Sequence, residues 1–255
     1  MAAQPSGRRP ASWPLVATPY PHPREGGRWR RPYDHPVTLP PRLALALKEW
    51  DVVVAALEQG RQALLVRRGG LDDPGHHFSA PRSAPFWLYP TLFHERGVFL
   101  KPEYRDLLVP GMHRAPRPVA VAAGRPEGHP RPVSPGMVSL GALAEVVEVI
   151  EAASLERLHA LEERTVWTGN YLTLRFRQRQ LSEAASVRPV VAVLRVSALP
   201  ERVEVPDLRE YGGCRSWVEL RDPPDASAAL PVWDDRRLDE EVEAVRRLLA
   251  ADPAG

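Results

Sequence analysis

The stretch VVAVLRV, residues 190–196, is apolar at every position except Arg195. A short, nearly continuous apolar run of this kind is typical of a strand that is covered on both faces of a sheet. The chain on both sides of it alternates between apolar and polar residues, as half-buried strands do. We therefore predict three strands in this part of the chain, with residues 190–196 in the centre of the sheet.

The first flanking strand is predicted in NYLTLRFRQR, residues 170–179. Its apolar residues alternate with polar ones, so one face is expected to be buried and the other exposed. The exposed face would carry Tyr171, Arg175 and Arg177, with about 6–7 Å between every second residue. This strand is therefore predicted to present a basic face.

The second flanking strand is predicted in CRSWVEL, residues 214–220. Alternation places the single cysteine, Cys214, on the inward face and places Arg215 and Trp217 on the outward face. An inward thiol with no evident base beside it is typical of a small buried residue rather than of a nucleophile. If this strand neighbours the one at 170–179, their arginines and Trp217 form one surface suited to a phosphate and a stacked base.

The folded part begins with RLALALKEWDVVVAALEQG, residues 42–60. Its apolar side chains recur at spacings of four and three, which predicts one helix that ends at Gly60. The next segment, RQALLVRR at residues 61–68, is apolar on nearly both faces and is predicted to be a short strand.

The remaining elements complete a mixed fold. Residues 86–111 are predicted to hold a strand and one or two short helices, and long helices are predicted at 140–164 and 235–250. This order predicts an α+β domain with a mixed, mostly antiparallel sheet of about five strands and packed helices. A small β-barrel with helices, like that of PUA or ASCH domains, is compatible with the same order.

Composition divides the chain into three parts. Residues 1–41 are rich in proline and arginine and are predicted to be a disordered tail. Residues 42–222 are predicted to form the α+β domain, with a loop rich in proline and glycine inserted at 109–136. Residues 223–255 are predicted to be a linker and the C-terminal helix.

The charge pattern limits the classes of function. The chain has 255 residues and a formal net charge of +2, which does not indicate a general binder of polyanions. Only Lys48 and Lys101 are lysines, so nearly every basic surface consists of guanidinium groups, which suit phosphate and carboxylate. With one cysteine and no apolar run near the roughly 18 residues of a membrane span, we expect a soluble, cytoplasmic bacterial protein without a metal or cofactor.

Five segments lie in order between residues 45 and 220: ALKEWDVVVAALEQGRQALLVRRGGL, FWLYPTLFHE, LKPEY, TVWTGNYLTLRFR and YGGCRSWVEL. In these segments the chain resembles DUF1802, a bacterial protein family without a settled activity. The resemblance therefore implies no catalytic residues. The insertion at 109–136 departs from the family pattern.

The segment RRGG is the strongest candidate for an anion site. Arg67 and Arg68 end a predicted strand, and the N–H groups of Gly69 and Gly70 can turn towards one point as a backbone nest. The phosphate-binding loop of nucleotide hydrolases is absent, because its Lys-Ser/Thr pair is missing. An ordinary turn with exposed arginines is the competing interpretation.

Catalytic residues are not evident. Glu49, His94 and Glu95 are weak candidates for acid–base groups, and no metal-binding motif surrounds them. Neither lysine follows an acidic residue by two positions, which argues against restriction-type nucleases.

Three functions are compatible with these residues. The first is a binding module for a phosphate-bearing ligand, a nucleotide or a nucleic acid, that uses the arginines and aromatic residues named above. The second is a hydrolase acting on nucleic acid or a nucleotide through the three acid–base candidates. The third is a protein-interaction module without a small-ligand site.

Overall fold

The fold is known from a computed structural model. The residues it describes are 42–67, 84–91, 97–108, 136–177, 189–212 and 216–250. The predicted tail at 1–41 and nearly all of the predicted insertion at 109–136 lie outside these residues. No helix in the described ranges is long and apolar enough to cross a membrane.

The described residues form seven strands and four α-helices. The strands are β1 (Leu45–Trp50), β2 (Leu64–Arg67), β3 (Phe86–Thr91), β4 (Met137–Glu151), β5 (Val190–Pro206), β6 (Trp217–Glu219) and β7 (Leu230–Pro231). The α-helices are α1 (Asp51–Glu58), α2 (Leu155–His159), α3 (Gly169–Arg177) and α4 (Asp235–Leu249). Short 3₁₀ helices occupy Gly97–Phe99, Pro102–Leu107, Glu162–Arg164 and Arg209–Tyr211.

All seven strands belong to one mixed sheet. Its order is β2-β5-β4-β3-β1-β6, and β7 pairs with β5 beside this path. The β1–β3 pair is parallel and the other pairs are antiparallel. The predicted α+β class and mostly antiparallel sheet are therefore confirmed, with seven strands instead of about five. No ladder joins β2 to β6 in the described part, so the sheet is not closed into a barrel.

Two hydrophobic cores lie on opposite faces of the sheet. Consecutive strand residues point to opposite faces, and Leu47 belongs to the larger core while Ala46 belongs to the smaller one. The larger core lies under the helices, and α4 contributes Leu238, Val242 and Val245 to it. Because strands such as β1 are covered on both sides, they are apolar at most positions.

The predicted helix at 42–60 is wrong in its first half. Residues 45–50 form β1, and the helix begins only at Asp51, whose carboxylate accepts a hydrogen bond from the Val52 N–H at 2.8 Å. A strand buried on both faces has apolar residues at helical spacings as well, which explains the error. Gly60 does follow the helix end, with φ +64°, as predicted.

The long helix predicted at 140–164 is also wrong. Its first part is β4, which pairs with β5 along most of its length, and only the short helix α2 follows. The run from Val146 to Ile150 is rich in β-branched residues, which favour strands over helices. The strand predictions at 61–68, 190–196 and 214–220 and the C-terminal helix at 235–250 are confirmed in their described residues.

The strand predicted at 170–179 is wrong, because residues 169–177 form helix α3. Positions two apart in a helix differ by about 200° around its axis, whereas in a strand they share one face. Tyr171 and Arg175, four apart, therefore share one side of α3. Arg177 lies on the other side, so the predicted common face of three residues does not form.

Candidate ligand-binding site

Polar residues gather where β1 ends and α1 begins. The segment Lys48–Glu49–Trp50–Asp51 interrupts an otherwise apolar stretch. Glu49 and Asp51 are both buried, at 4% and 6% exposure. Buried carboxylates need partners, because their charge loses its hydration. The partners of Glu49 are the N–H of the adjacent Trp50 and the guanidinium of Arg67, 18 positions further along the chain.

Glu49, Arg67 and Ser216 form a cluster that we call the edge cluster. Arg67 donates from Nη1 to Glu49 Oε2 at 2.9 Å and from Nη2 to Ser216 Oγ at 2.8 Å. The second oxygen of the carboxylate, Oε1, accepts from the Trp50 N–H at 2.8 Å. Arg67 ends the edge strand β2, and Ser216 directly precedes the opposite edge strand β6. Side chains therefore connect two edges that share no backbone ladder in the described part of the chain.

Trp50, Trp167, Tyr171 and Arg175 form a second group, which we call the aromatic cluster. The rings of Trp167 and Tyr171 are stacked, with centroids 3.9 Å apart and planes inclined by 21°. Trp50 packs edge-on against Trp167 at 6.5 Å. Since Trp50 follows Glu49, the aromatic cluster adjoins the edge cluster through one peptide bond.

Arg175 lies at the outer end of the aromatic cluster. Its Nε donates to the Tyr171 hydroxyl at 2.8 Å, and its guanidinium carbon lies 5.0 Å from the centre of the Tyr171 ring. Neither Nη atom bonds another described residue. The sequence of α3, GNYLTLRFR, contains no acidic residue, and neither Arg175 nor Arg177 forms an ion pair in the described ranges.

Most other arginines in the described ranges have carboxylate partners. Examples of these ion pairs are Arg61–Asp106, Arg164–Glu241, Arg195–Asp235, Arg202–Glu58 and Arg221–Glu210. The guanidinium of Arg175 differs, since an aromatic hydroxyl fixes it and no described carboxylate forms an ion pair with it. Arg177 is exposed at the end of α3. It lies on the same side of the helix as Thr173, which bonds His159 at 2.8 Å.

Trp217 occupies a different place from the one predicted. It is half-buried in β6 and packs edge-on against Phe86, with ring centroids 4.9 Å apart. This contact turns it towards the larger core. The expected neighbouring strand with Arg175 does not exist, because residues 169–177 are helical. Arg215 and Cys214 lie outside the described residues.

Some of the other predicted site residues are described by the structure and some are not. Arg67 is described, whereas Arg68, Gly69 and Gly70 lie outside the described residues, so the nest stays a prediction. Of the acid–base candidates, Glu49 is described and His94 and Glu95 are not. Both oxygens of Glu49 already accept hydrogen bonds. Among the described residues no group of three histidine, cysteine or acidic side chains is arranged to hold a metal ion.

Sequence reasoning missed the role of Trp167 and assigned Trp50 to a helical core stripe. The spacing of Tyr171 and Arg175 by four residues is a signal in the sequence, whereas Trp167 precedes the helix and forms an isolated bridge with Leu100. Such spacing brings side chains together on one side of a helix. This spacing has no such meaning in a strand, which is how residues 170–179 are interpreted from the sequence.

Comparisons with known proteins add a family and little else. A family model described as a domain of unknown function (DUF1802) matches residues 46–244. The comparison with curated proteins finds no match. Among solved structures, a crystal structure of a mutant ASCH protein from Zymomonas mobilis aligns with a TM-score of 0.38 and 11% sequence identity. The alignment covers 81% of this chain and 99% of that one.

Proposed function

Because this chain belongs to the DUF1802 family, whose function is unknown, we propose a function from its geometry: a binding module for a phosphate-bearing ligand, either a nucleotide or a nucleic acid. The observation that carries the proposal is the guanidinium of Arg175, which the Tyr171 hydroxyl holds and with which no described carboxylate forms an ion pair. Arg175 would form the direct contact to a phosphate group.

The geometry of Arg175 suits an incoming anion. Because Nε already bonds Tyr171, the two Nη groups are the donors left for a ligand, and they form the fork that binds phosphate with two parallel hydrogen bonds. The stacked Trp167 ring supports Tyr171, so little side-chain freedom is lost on binding. A preorganised arginine without a carboxylate partner is more useful for binding than for stability.

The rings around Arg175 favour a nucleotide among phosphate-bearing ligands. Trp50 of the aromatic cluster and the neighbouring Phe99 are both half-buried, and the ring centroids of Phe99 and Tyr171 lie 5.6 Å apart. Nucleic-acid bases stack on such rings with little regard to base identity. A site with one fixed guanidinium and neighbouring rings would therefore hold a phosphate and its base together.

The change Arg175→Ala is expected to weaken the binding of a labelled single-stranded oligonucleotide by at least tenfold. A hydrogen bond to a charged group contributes about 1.5–3 kcal/mol, and about 1.4 kcal/mol corresponds to a factor of ten. The slope of log K against log salt should also fall by about 0.7, because one phosphate contact is lost. Fluorescence anisotropy at several salt concentrations measures both quantities, with a duplex of the same sequence as a second ligand.

Three single variants serve as controls for Arg175→Ala. Arg177→Ala removes the same charge from the opposite side of α3 and should change the affinity less than threefold. Arg209→Ala and Arg247→Ala remove exposed arginines that form no ion pair in the described ranges, and they should have no effect. Equal losses in all four variants would show a general charge effect and contradict a specific site at Arg175. Absence of binding by the unaltered protein would contradict the proposal for nucleic acids, and a nucleotide titration would then test the other ligand.

A further inference from the structure

Glu49 is an unusual residue for its place in the sheet. Alternation along β1 puts it on the same face as Leu45 and Leu47, which belong to or pack against the larger core. A carboxylate in an apolar row must lose its hydration, and Arg67 replaces that hydration with one ion pair. The pair is sheltered, with side-chain exposures of 15% for Arg67 and 5% for Glu49.

Stability alone does not explain this pair. Replacing a buried ion pair by apolar side chains of similar volume is often neutral or stabilising, because the cost of removing two charges from water is large. Leucine or methionine at both positions would continue the rows that Leu47 and Leu65 already form. The ionic groups therefore point to a use of Arg67 that an apolar residue does not offer.

The groups around the Glu49 carboxylate are those that bind oxyanions. Nη1 of Arg67 and the Trp50 N–H donate to the carboxylate, and the Ser216 hydroxyl accepts from Nη2 of Arg67 and so holds the guanidinium in place, with hydrogen bonds of 2.8–2.9 Å. The same kinds of donor hold phosphate groups in proteins. We propose that the Glu49 carboxylate occupies an oxyanion site formed by Arg67 and the Trp50 N–H, with Ser216 orienting the guanidinium, and that a phosphate group competes with Glu49 for this site.

Competition of this kind sets the affinity of the edge cluster. A ligand binds only to molecules in which Glu49 has moved away from the site. The apparent affinity is therefore the intrinsic affinity multiplied by the fraction of such molecules. A phosphate dianion carries more charge than a carboxylate and has more acceptor oxygens, which favours it in this exchange. The proposal takes its ligand class from the function proposed above, but it does not use Arg175.

The test compares the unaltered protein with Glu49→Gln by calorimetric titration with inorganic phosphate. Glutamine keeps the shape of the side chain and removes the competing charge, so phosphate should bind at least tenfold more tightly. The double variant Glu49→Gln/Arg67→Met should lose this gain. Adding Arg175→Ala to Glu49→Gln should leave the gain intact, which separates failure here from failure of the function proposed for Arg175.

A second measurement does not depend on the folding of Glu49→Gln. In the unaltered protein, the backbone amide resonance of Trp50 should shift saturably as phosphate is added, because the ligand replaces its acceptor. The single variant Arg67→Met should show no such shift. Two results would overturn the proposal: a Trp50 amide resonance that does not shift in the unaltered protein, or a gain in affinity in Glu49→Gln that survives the loss of Arg67. Either result would mean that the ion pair has only a structural role.

Discussion

The change Gly60→Ala is expected to lower the free energy of unfolding by about 3 kcal/mol, from left-handed backbone strain of about 1–2 kcal/mol and overpacking of about 1–3 kcal/mol. Gly60 has φ +64°, and a Cβ atom there would lie 2.7 Å from Nε1 of Trp233. The Trp233 indole cannot simply withdraw, because it donates to the Gly60 carbonyl at 3.0 Å and Arg237 covers its ring at 4.1 Å. Urea denaturation measures the loss.

Gly136 offers a matched control for Gly60. It also has positive φ, +72°, but a Cβ atom there would meet nothing within 4 Å. Gly136→Ala should therefore lower the free energy of unfolding only by the backbone strain, about 1–2 kcal/mol. Equal losses at the two glycines would mean that the contact with Trp233 does not constrain the position.

The change Arg202→Met is expected to destabilise the protein by about 3 kcal/mol, near the lower end of the range for breaking a buried pair, since both side chains keep some exposure. Arg202 bonds the Glu58 carboxylate and also donates to Ser139 Oγ at 2.9 Å and Ser139 O at 2.7 Å. Without Arg202, the Glu58 carboxylate stays buried and loses its only ion pair in the described ranges.

The loss in Arg202→Met should depend on pH. Burial raises the pKa of Glu58 above its ordinary value, and the nearby Arg202 charge opposes this rise. A raised pKa in the folded state means that the contribution of Glu58 to stability is complete below its unfolded pKa and is lost as pH rises through the folded pKa. Removing Arg202 raises that pKa further, so the deficit of the variant should shrink between pH 7 and about pH 4.

The double variant Glu58→Gln/Arg202→Met is the control for this interpretation. It removes the buried charge with its partner, so most of the lost stability should return and the pH dependence of the deficit should disappear. Thermal denaturation at several pH values compares the three proteins. A deficit in Arg202→Met that is constant over the whole pH range would contradict the role assigned to the Glu58 charge.

Glycine at position 141 belongs to the same arrangement. A Cβ atom on Gly141 would lie 2.6 Å from Glu58 Oε1 and 3.0 Å from Arg202 Cγ. The ion pair therefore passes directly over the β4 backbone, at a position where a side chain would displace it. This close approach explains the glycine inside β4, at a point where the pairing with β5 is also irregular.

The sequence predicts most reliably those elements whose burial produces a hydrophobic pattern that fits only one kind of secondary structure. The strand at 190–196 is confirmed because a short apolar run covered on both faces is too brief for a buried helix. The C-terminal helix is confirmed because one of its sides is solvated and its polar and apolar residues follow the helical period. Both signals are local.

The wrong predictions of β1 and β4 arise because burial on both faces of a strand removes the alternation of polar and apolar residues. β1 and β4 lie between two cores, so apolar residues occur at positions that fit a helix as well as a strand. In the short segment 169–177 the opposite error occurs. There, packing of Tyr171 against Trp167 favours a helix although polar and apolar residues alternate.

The candidate site could be predicted only in part. The pairing of Tyr171 with Arg175 is visible once the segment is taken as a helix, whereas the packing of Trp167, which precedes that helix, is not. The pairing of Arg67 with Glu49 is not, because β2 and β1 are not neighbours in the sheet. Their contact depends on how the whole sheet curves, and no short segment encodes that curvature.

The strand order also affects synthesis of the protein. β1 is the first described strand, yet one of its two neighbours is β6, and their paired residues Leu47 and Trp217 lie 170 positions apart. At about 5–20 residues per second, roughly 10–30 s pass on the ribosome between these two residues. During this interval the free edge of β1 can pair with another nascent chain, so we expect newly made molecules to need chaperone protection until the last strands emerge.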